Sequence, residues 1–218
     1  MQIGKIMAKP SSPAPRGKGR PPSIDRIAAL DAAVLTFWEK GYEGASLTDL
    51  TNAMNLSRPS LYSGFGDKAQ LFDAALMRYA QTIGSAPMAA FEAEPDISKA
   101  IRAFLSEAAA GNTTPGHPCG CLIGCCAATA AESDPNVRRR LNQLLSDTQS
   151  RLAKRFEAEP KLPGHFSARS RAAMMLDFMN AQAIRARSGA TQDELMEDLD
   201  MKVHAVLGAQ DNSERSLT

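Results

Sequence analysis

Three helix-start signals fall within the 27 residues from Ser46 to Phe72, SLTDLTNAMNLSRPSLYSGFGDKAQLF, and divide this run into two short helices and the head of a third. Ser46 with Asp49 three residues on has the spacing of a capping box, in which the hydroxyl accepts from an orphan helix N–H and the carboxylate reaches back. A helix is therefore predicted from Leu47, with Leu47, Leu50 and Met54 at helical spacing. Asn55, just past its end, is a residue type that tolerates the left-handed conformation needed there. Ser57 caps the next helix, which starts at about Arg58, and Pro59 lies in its first turn, where a missing N–H has no partner to lose. Asp67 and Gln70 repeat the cap spacing ahead of Leu71, Phe72, Ala75 and Leu76, so a longer third helix begins there. Leu50, Met54, Leu61 and Phe65 are the predicted core of the unit.

Two short helices joined by a tight turn set the second helix into a DNA major groove, with its first-turn side chains facing base edges. Here those side chains are Arg58, Ser60 and Ser63. Arginine can donate two hydrogen bonds to O6 and N7 of guanine, whereas serine discriminates weakly, so Arg58 is the candidate for direct readout. Tyr62 offers a phenol to a phosphate oxygen, and Lys68 stands at a helix N-terminus that already favours an anion. A single S-x-x-D cap serves any helix; it is the agreement of three caps with a polar exposed face that points to DNA.

Residues 25–72 resemble the N-terminal domain of the TetR family of transcriptional regulators. The likeness rests on an opening helix ending in F-x-x-x-G-Y (Phe37, Gly41, Tyr42), the short step to Ser46, and L-Y-x-x-F followed by K-x-x-L-F (Leu61, Tyr62, Phe65, Lys68, Leu71, Phe72). On matching positions it implies DNA contacts at Ser46, Thr48, Arg58, Pro59, Ser60, Tyr62, Ser63 and Lys68. Asn55 stands where the family's turn usually has glycine, and Ser63 and Gly64 replace the aromatic pair that often follows the tyrosine, so base preference does not transfer. The resemblance further implies an all-α chain of about nine helices, a three-helix DNA-binding domain followed by a larger domain that binds a small-molecule effector and dimerises. Its last two helices would pair with those of a second copy as a four-helix bundle. The homodimer would read a palindromic double-stranded operator with half-sites about 34 Å apart and act as a repressor. An effector would release it by swinging the helix that leaves Lys68.

Composition sets limits on this picture. A chain of 218 residues with 44% apolar content is long enough for a buried core plus a small appended domain. The net charge of +1 hides an asymmetry: residues 1–78 hold ten Lys and Arg against seven Asp and Glu, so the positive excess lies at the end expected to face phosphates. No apolar run approaches a bilayer span and the start lacks a signal-peptide core, so a cytoplasmic protein with no membrane partner is expected. Residues 1–24 contain five basic side chains, no acid and five prolines, and are expected to be disordered when free. RGKGRPP resembles the Gly-Arg-Pro element of AT-hook peptides and would place Arg20 in an A·T-rich minor groove. The same residues also suit a solvated basic tail that adds only salt-sensitive affinity. Met7 offers a second possible start.

Beyond Leu71 helices are predicted at about 67–84, 97–110, 118–131, 134–158, 167–188 and 191–207, broken by Pro and Gly. The organisation is then a basic tail (1–24), a DNA-binding domain (25–72), an effector and dimerisation domain (73–210) and a disordered C-terminus (211–218). Leu176, Met179 and Ala183, with Leu195, Leu199, Val203 and Val206, form apolar stripes that fit a dimer seam or the subunit's own core. Phe91, Phe104, Met174, Met175 and Phe178 suit either a cavity lining or an ordinary core, Trp38 suits packing, and Arg138, Arg139 and Arg140 suit a solvated face.

All four cysteines, Cys119, Cys121, Cys125 and Cys126, fall within HPCGCLIGCC. Three readings stay open: small hydrophobes packing a tight helix, a redox or electrophile sensor with Cys121 and Cys125 one turn apart, and a metal site completed by His117, although the spacing is unusual for zinc. A thiol enzyme is a fourth and weaker reading, because no acid–base group is spaced to orient a nucleophile. No motif asks for a cofactor.

Overall fold

The structure, a computed structural model, describes residues 25–208. The basic arm with Arg20 and the C-terminal segment 211–218 lie outside the described residues. Among the described residues there are helices and no strands. The first four are α1 (Arg26–Gly44), α2 (Leu47–Ala53), α3 (Arg58–Phe65) and α4 (Lys68–Gln81). A 3₁₀ turn (Ile83–Ser85) leads to α5 (Ala86–Ala93) and α6 (Ile97–Asn112). A π-helix (Leu122–Ala127) runs into the single turn α7 (Ala128–Ala130). Then come α8 (Pro135–Glu157), α9 (Ala168–Arg187), α10 (Gln192–Met196) and α11 (Leu199–Leu207).

The expected caps form. Ser46 and Asp49 make a complete capping box on α2, Ser57 accepts from the Ser60 N–H at the start of α3, and Asp67 with Gln70 box the start of α4. Asn55 has φ 51°, so it supplies the left-handed residue that the turn between α2 and α3 requires. α1 breaks at Gly41, φ 72°, which turns Tyr42 back onto the helix that precedes it. Leu50, Met54, Leu61 and Phe65 are buried as expected. Phe37 meets Phe72 edge-on at 4.8 Å, and Tyr42 meets the same ring at 4.8 Å, locking α1 to α4.

Two apolar cores result. One holds α1 to α4 and also takes in Leu122, Cys126, Ala127, Ala130, Ala131 and Val137, so the cysteine segment packs against the DNA-binding end of the molecule. The other lies among α5, α6, α8, α9 and α11, around Phe91, Ile101, Phe104, Leu105, Leu152, Phe156, Met175 and Val203.

Several sequence expectations need correction. The helix expected over 67–84 stops at Gln81, and α5 fills a stretch read as a break, because Pro87 sits in its first turn, where proline starts rather than stops a helix. The helix expected over 118–131 begins only at Leu122 and is wound as a π-helix. There Gly120 (φ 81°) passes so close to α9 that a Cβ would lie 2.7 Å from the Ala183 carbonyl oxygen. The segment 191–207 is two helices rather than one. Of the two readings of the apolar stripes, burial supports the subunit's own core: Leu176, Ala183, Leu195, Leu199, Val203 and Val206 are buried within the subunit, and Met179 lines a cavity. On α9 and α11 the large apolar side chains that face out are Ile184 and Met201.

Candidate nucleic-acid interface and effector cavity

The local caps fix α2 and α3 as two short helices, which with the Ser46 cap leave Ser46, Thr48, Arg58, Pro59, Tyr62 and Ser63 exposed. Arg58 donates through Nη2 to the Thr48 hydroxyl at 3.0 Å, so two of the expected contact residues are joined across the turn. Arginine keeps further N–H donors for a base edge or phosphate. Ser60 is half-buried and its hydroxyl lies 2.8 Å from that of Ser57, within the cap. Ser63 donates to the Ser60 carbonyl oxygen. Tyr62 is 50% exposed, enough to leave its phenol open to a partner.

Lys68 opens α4, with its ammonium 4.7 Å from the centre of the Tyr42 ring. That cation–π contact holds the charge beside the helix N-terminus. Tyr42 belongs to the F-x-x-x-G-Y motif, whose spacing alone does not reveal this task. Lys40, which no motif marks, pairs with Asp49 and ties the end of α1 to the α2 cap. Hydrogen bonds from Lys40 and Ser46 hold the Asp49 carboxyl well below the usual carboxylate range.

α4 carries the connection away from this surface. Arg78 makes a two-pronged pair with Asp31 of α1, at 2.6 and 3.0 Å, while Asp73 takes a two-pronged pair from Arg140 of α8, at 2.6 and 3.0 Å. The helix is thus clamped on one side to the DNA-binding domain and on the other to the distal domain. Arg140 therefore does not belong to a merely solvated face, and Arg138 also donates, to the Ala131 and Glu132 carbonyl oxygens.

The far end of α4 enters the wall of a partly open cavity of about 120 Å³. Tyr79, Phe104, Asn112, Cys121, Leu176 and Met179 contribute to it. Of the five side chains suggested for a cavity, Phe104 lines it, whereas Phe91 and Met175 are buried in the distal core and Met174 and Phe178 pack against that core. The Tyr79 hydroxyl donates to the Cys121 sulfur at 3.4 Å. Its ring meets Trp38 of α1 edge-on at 5.1 Å, so one side chain touches both the cavity and the first core.

The cysteines do not share one environment. Cys121 faces the cavity, whereas Cys125 and Cys126 line a cleft beside Lys40, Tyr42 and Arg187. Arg187 binds the Trp38 carbonyl oxygen at 2.9 Å and the Cys119 carbonyl oxygen at 3.0 Å, and lies 3.3 Å from the Cys126 sulfur. Burial pushes the Cys121 and Cys126 thiols up, which opposes the thiolate that a sensor needs. His117 is turned onto the Trp38 ring, 5.6 Å between centres. Among the described residues no three His, Cys, Asp or Glu side chains group to hold a metal ion. None of the described helices is long and apolar enough to cross a membrane.

Two short helices with an exposed reading face, joined by a clamped helix to a separate helical domain, define a helix-turn-helix DNA-binding protein. Residues 29–75 match the family described as bacterial regulatory proteins, tetR family. The transcriptional repressor ComR of Escherichia coli (strain K12) is 30% identical over 186 residues, covering 84% of this chain and 89% of that protein. The chain belongs to the TetR family of bacterial regulatory proteins. A cysteine mutant of the TetR family regulator CifR, in complex with 26-base-pair double-strand operator DNA, superposes with TM-score 0.78 at 28% identity, over 85% of this chain and 99% of that one. A TetR regulator from Chloroflexus aurantiacus J-10-FL shares the fold, with TM-score 0.73 at 20% identity over 85% of this chain and 94% of that one.

Proposed function

We propose that this protein is a cytoplasmic homodimeric repressor that binds a palindromic operator and is released when a small molecule occupies the cavity beside Tyr79. The observation that carries the reading is the course of α4. Lys68 and the Asp67 cap lie at the DNA-facing end, Tyr79 lines the cavity at the other, and the Arg78–Asp31 and Arg140–Asp73 pairs clamp the helix between them. A shift of a packed helix at one end is carried to the other because close-packed interiors do not deform continuously. The relative ComR is a repressor, and a cysteine mutant of CifR is seen in complex with operator DNA, which supports the same role here. Ser46, Thr48, Arg58, Pro59, Tyr62, Ser63 and Lys68 would meet the DNA, Arg58 reading bases and Lys68 a phosphate. The exposed Ile184 and Met201, rather than the buried stripes, would lie on the dimer face. Capture of genomic fragments followed by footprinting tests the reading. A protected palindrome is expected, and protection that persists unchanged when the cavity is filled would overturn the release step.

A thiol-responsive release on the same scaffold draws on one contact, the reach of Arg187 to both Cys126 and the Trp38 carbonyl. Modification of Cys126 would loosen that tie, although burial of the thiol opposes it.

A further inference from the structure

The chemistry of the cavity narrows what can fill it. At about 120 Å³ it is close in size to an engineered cavity of about 150 Å³ that takes benzene, so a compact molecule fits. Its charged wall residues are confined to the solvent-exposed Glu107 and Arg151, and Arg151 is already paired with Glu92. The lining residues that are not exposed are uncharged, which disfavours an ion. Apolar side chains make up much of the remaining wall, among them Phe104, Leu176 and Met179.

Asn112 breaks that apolar pattern, as do Ser85, Thr148 and the half-buried Asn180, but the Ser85 and Thr148 hydroxyls are already bonded to backbone oxygens and Asn112 is the most buried of the four. It is 95% buried (5% exposed) and lines the cavity, and its carboxamide makes no hydrogen bond to any described residue. Its backbone oxygen accepts from the Gly120 N–H at 2.8 Å, which sets it next to Cys121 in the same wall. An amide at the surface of a largely apolar cavity keeps its N–H donors for whatever occupies the space. The Tyr79 hydroxyl, on the same wall, gives its proton to the Cys121 sulfur, a weak acceptor that an oxygen would displace.

We propose that the cavity takes a compact neutral carbonyl compound of about six to eight non-hydrogen atoms, whose oxygen accepts from the Asn112 carboxamide and the Tyr79 hydroxyl. The carbonyl oxygen has two lone pairs for these two donors, and the apolar body lies against Phe104, Leu176 and Met179. Binding is noncovalent and Cys121 stays a thiol. The inference rests on the cavity being the effector site, and the experiment separates the two.

Trp38 is the only tryptophan in the chain and lies edge-on to Tyr79, so its emission reports on the cavity. Cyclohexanone, benzene and benzoate are titrated against the full chain while anisotropy of a labelled operator, found by footprinting, is followed in parallel. Cyclohexanone is expected to shift Trp38 emission saturably at concentrations about tenfold lower than benzene or benzoate. Asn112→Leu and Tyr79→Phe, each checked for helical content, are expected to weaken that response about tenfold. Equal binding of benzene, preferred binding of benzoate, or an unchanged response in both variants would overturn the proposal. Cyclohexanone that binds as expected without loosening the operator would leave the ligand class standing and sink the effector reading. Operator release by benzoate alone would do the reverse.

Discussion

At the scale of single residues, the proposed interface assigns Arg58 and Lys68 different work. Arg58 is exposed and tied to Thr48 through one Nη2 donor, leaving the rest of its fork for the groove. Arg58→Ala is expected to cost about 1–3 kcal/mol of operator affinity and to relax preference at one base position, measured by competition among operator variants. Lys68 is half-buried over the Tyr42 ring at the start of α4, and the proposed role for it is a phosphate contact. Lys68→Ala should weaken all sequences alike and lower the slope of affinity against salt by about one. Unaltered sequence preference in Arg58→Ala would remove it from direct readout. Among the thiols Cys119 is exposed, whereas burial pushes Cys121 and Cys126 up. Alkylation at neutral pH should therefore label Cys119 first by mass spectrometry and leave operator affinity intact; affinity lost in step with later labelling of Cys126 would favour the thiol-responsive reading.

At the scale of elements, the α2 cap is the most exposed point of failure. Ser46→Ala removes the acceptor for the Asp49 N–H and is expected to destabilise the fold by about 1 kcal/mol in urea unfolding. Asp49 has a folded pKa below its unfolded one, through the Lys40 and Ser46 hydrogen bonds. Its stabilising effect is complete above about pH 4 and is lost as the pH falls further. The urea midpoint of Asp49→Asn should accordingly fall less than that of the unsubstituted protein on acidification from about pH 5 to about pH 3. A parallel fall in both would show that other carboxylates dominate. These caps were legible in the chain because every partner lies within three residues, and Asn55 was legible because few residue types accept φ near 51°. The stripes on α9 and α11 were legible only as stripes: periodicity says that one face is buried, not against what. The π-helix at Leu122–Ala127 had no local signal, since it follows from how closely Gly120 and Gly124 approach Ala183 and Asn180 of α9. The cavity was illegible for the same reason, because it is bounded by side chains from residues far apart in sequence, such as Tyr79, Asn112 and Leu176.

At the scale of the whole molecule, α4 is a beam held at both ends. Asp73→Asn would cut the Arg140 pair on the distal side while leaving the Arg78–Asp31 pair in place. Operator affinity without ligand should then be nearly unchanged, whereas the drop in affinity caused by a cavity ligand should shrink. An undiminished drop would mean that the signal travels by another route, of which Arg187 and the Trp38 carbonyl are the candidate. Exposed Ile184 and Met201 place the oligomer question on the outer faces of α9 and α11, and Ile184→Glu with Met201→Glu should yield monomers in analytical ultracentrifugation. The first core also bears on engineering. Because it draws Leu122, Cys126, Ala127 and Val137 in against Trp38 and Tyr79, the reading head is not a detachable cassette. A fragment ending near Gln81 would present a wide greasy scar where that cover had been, and a chimera that grafts this head onto another sensor domain would have to carry the cover strip along with it.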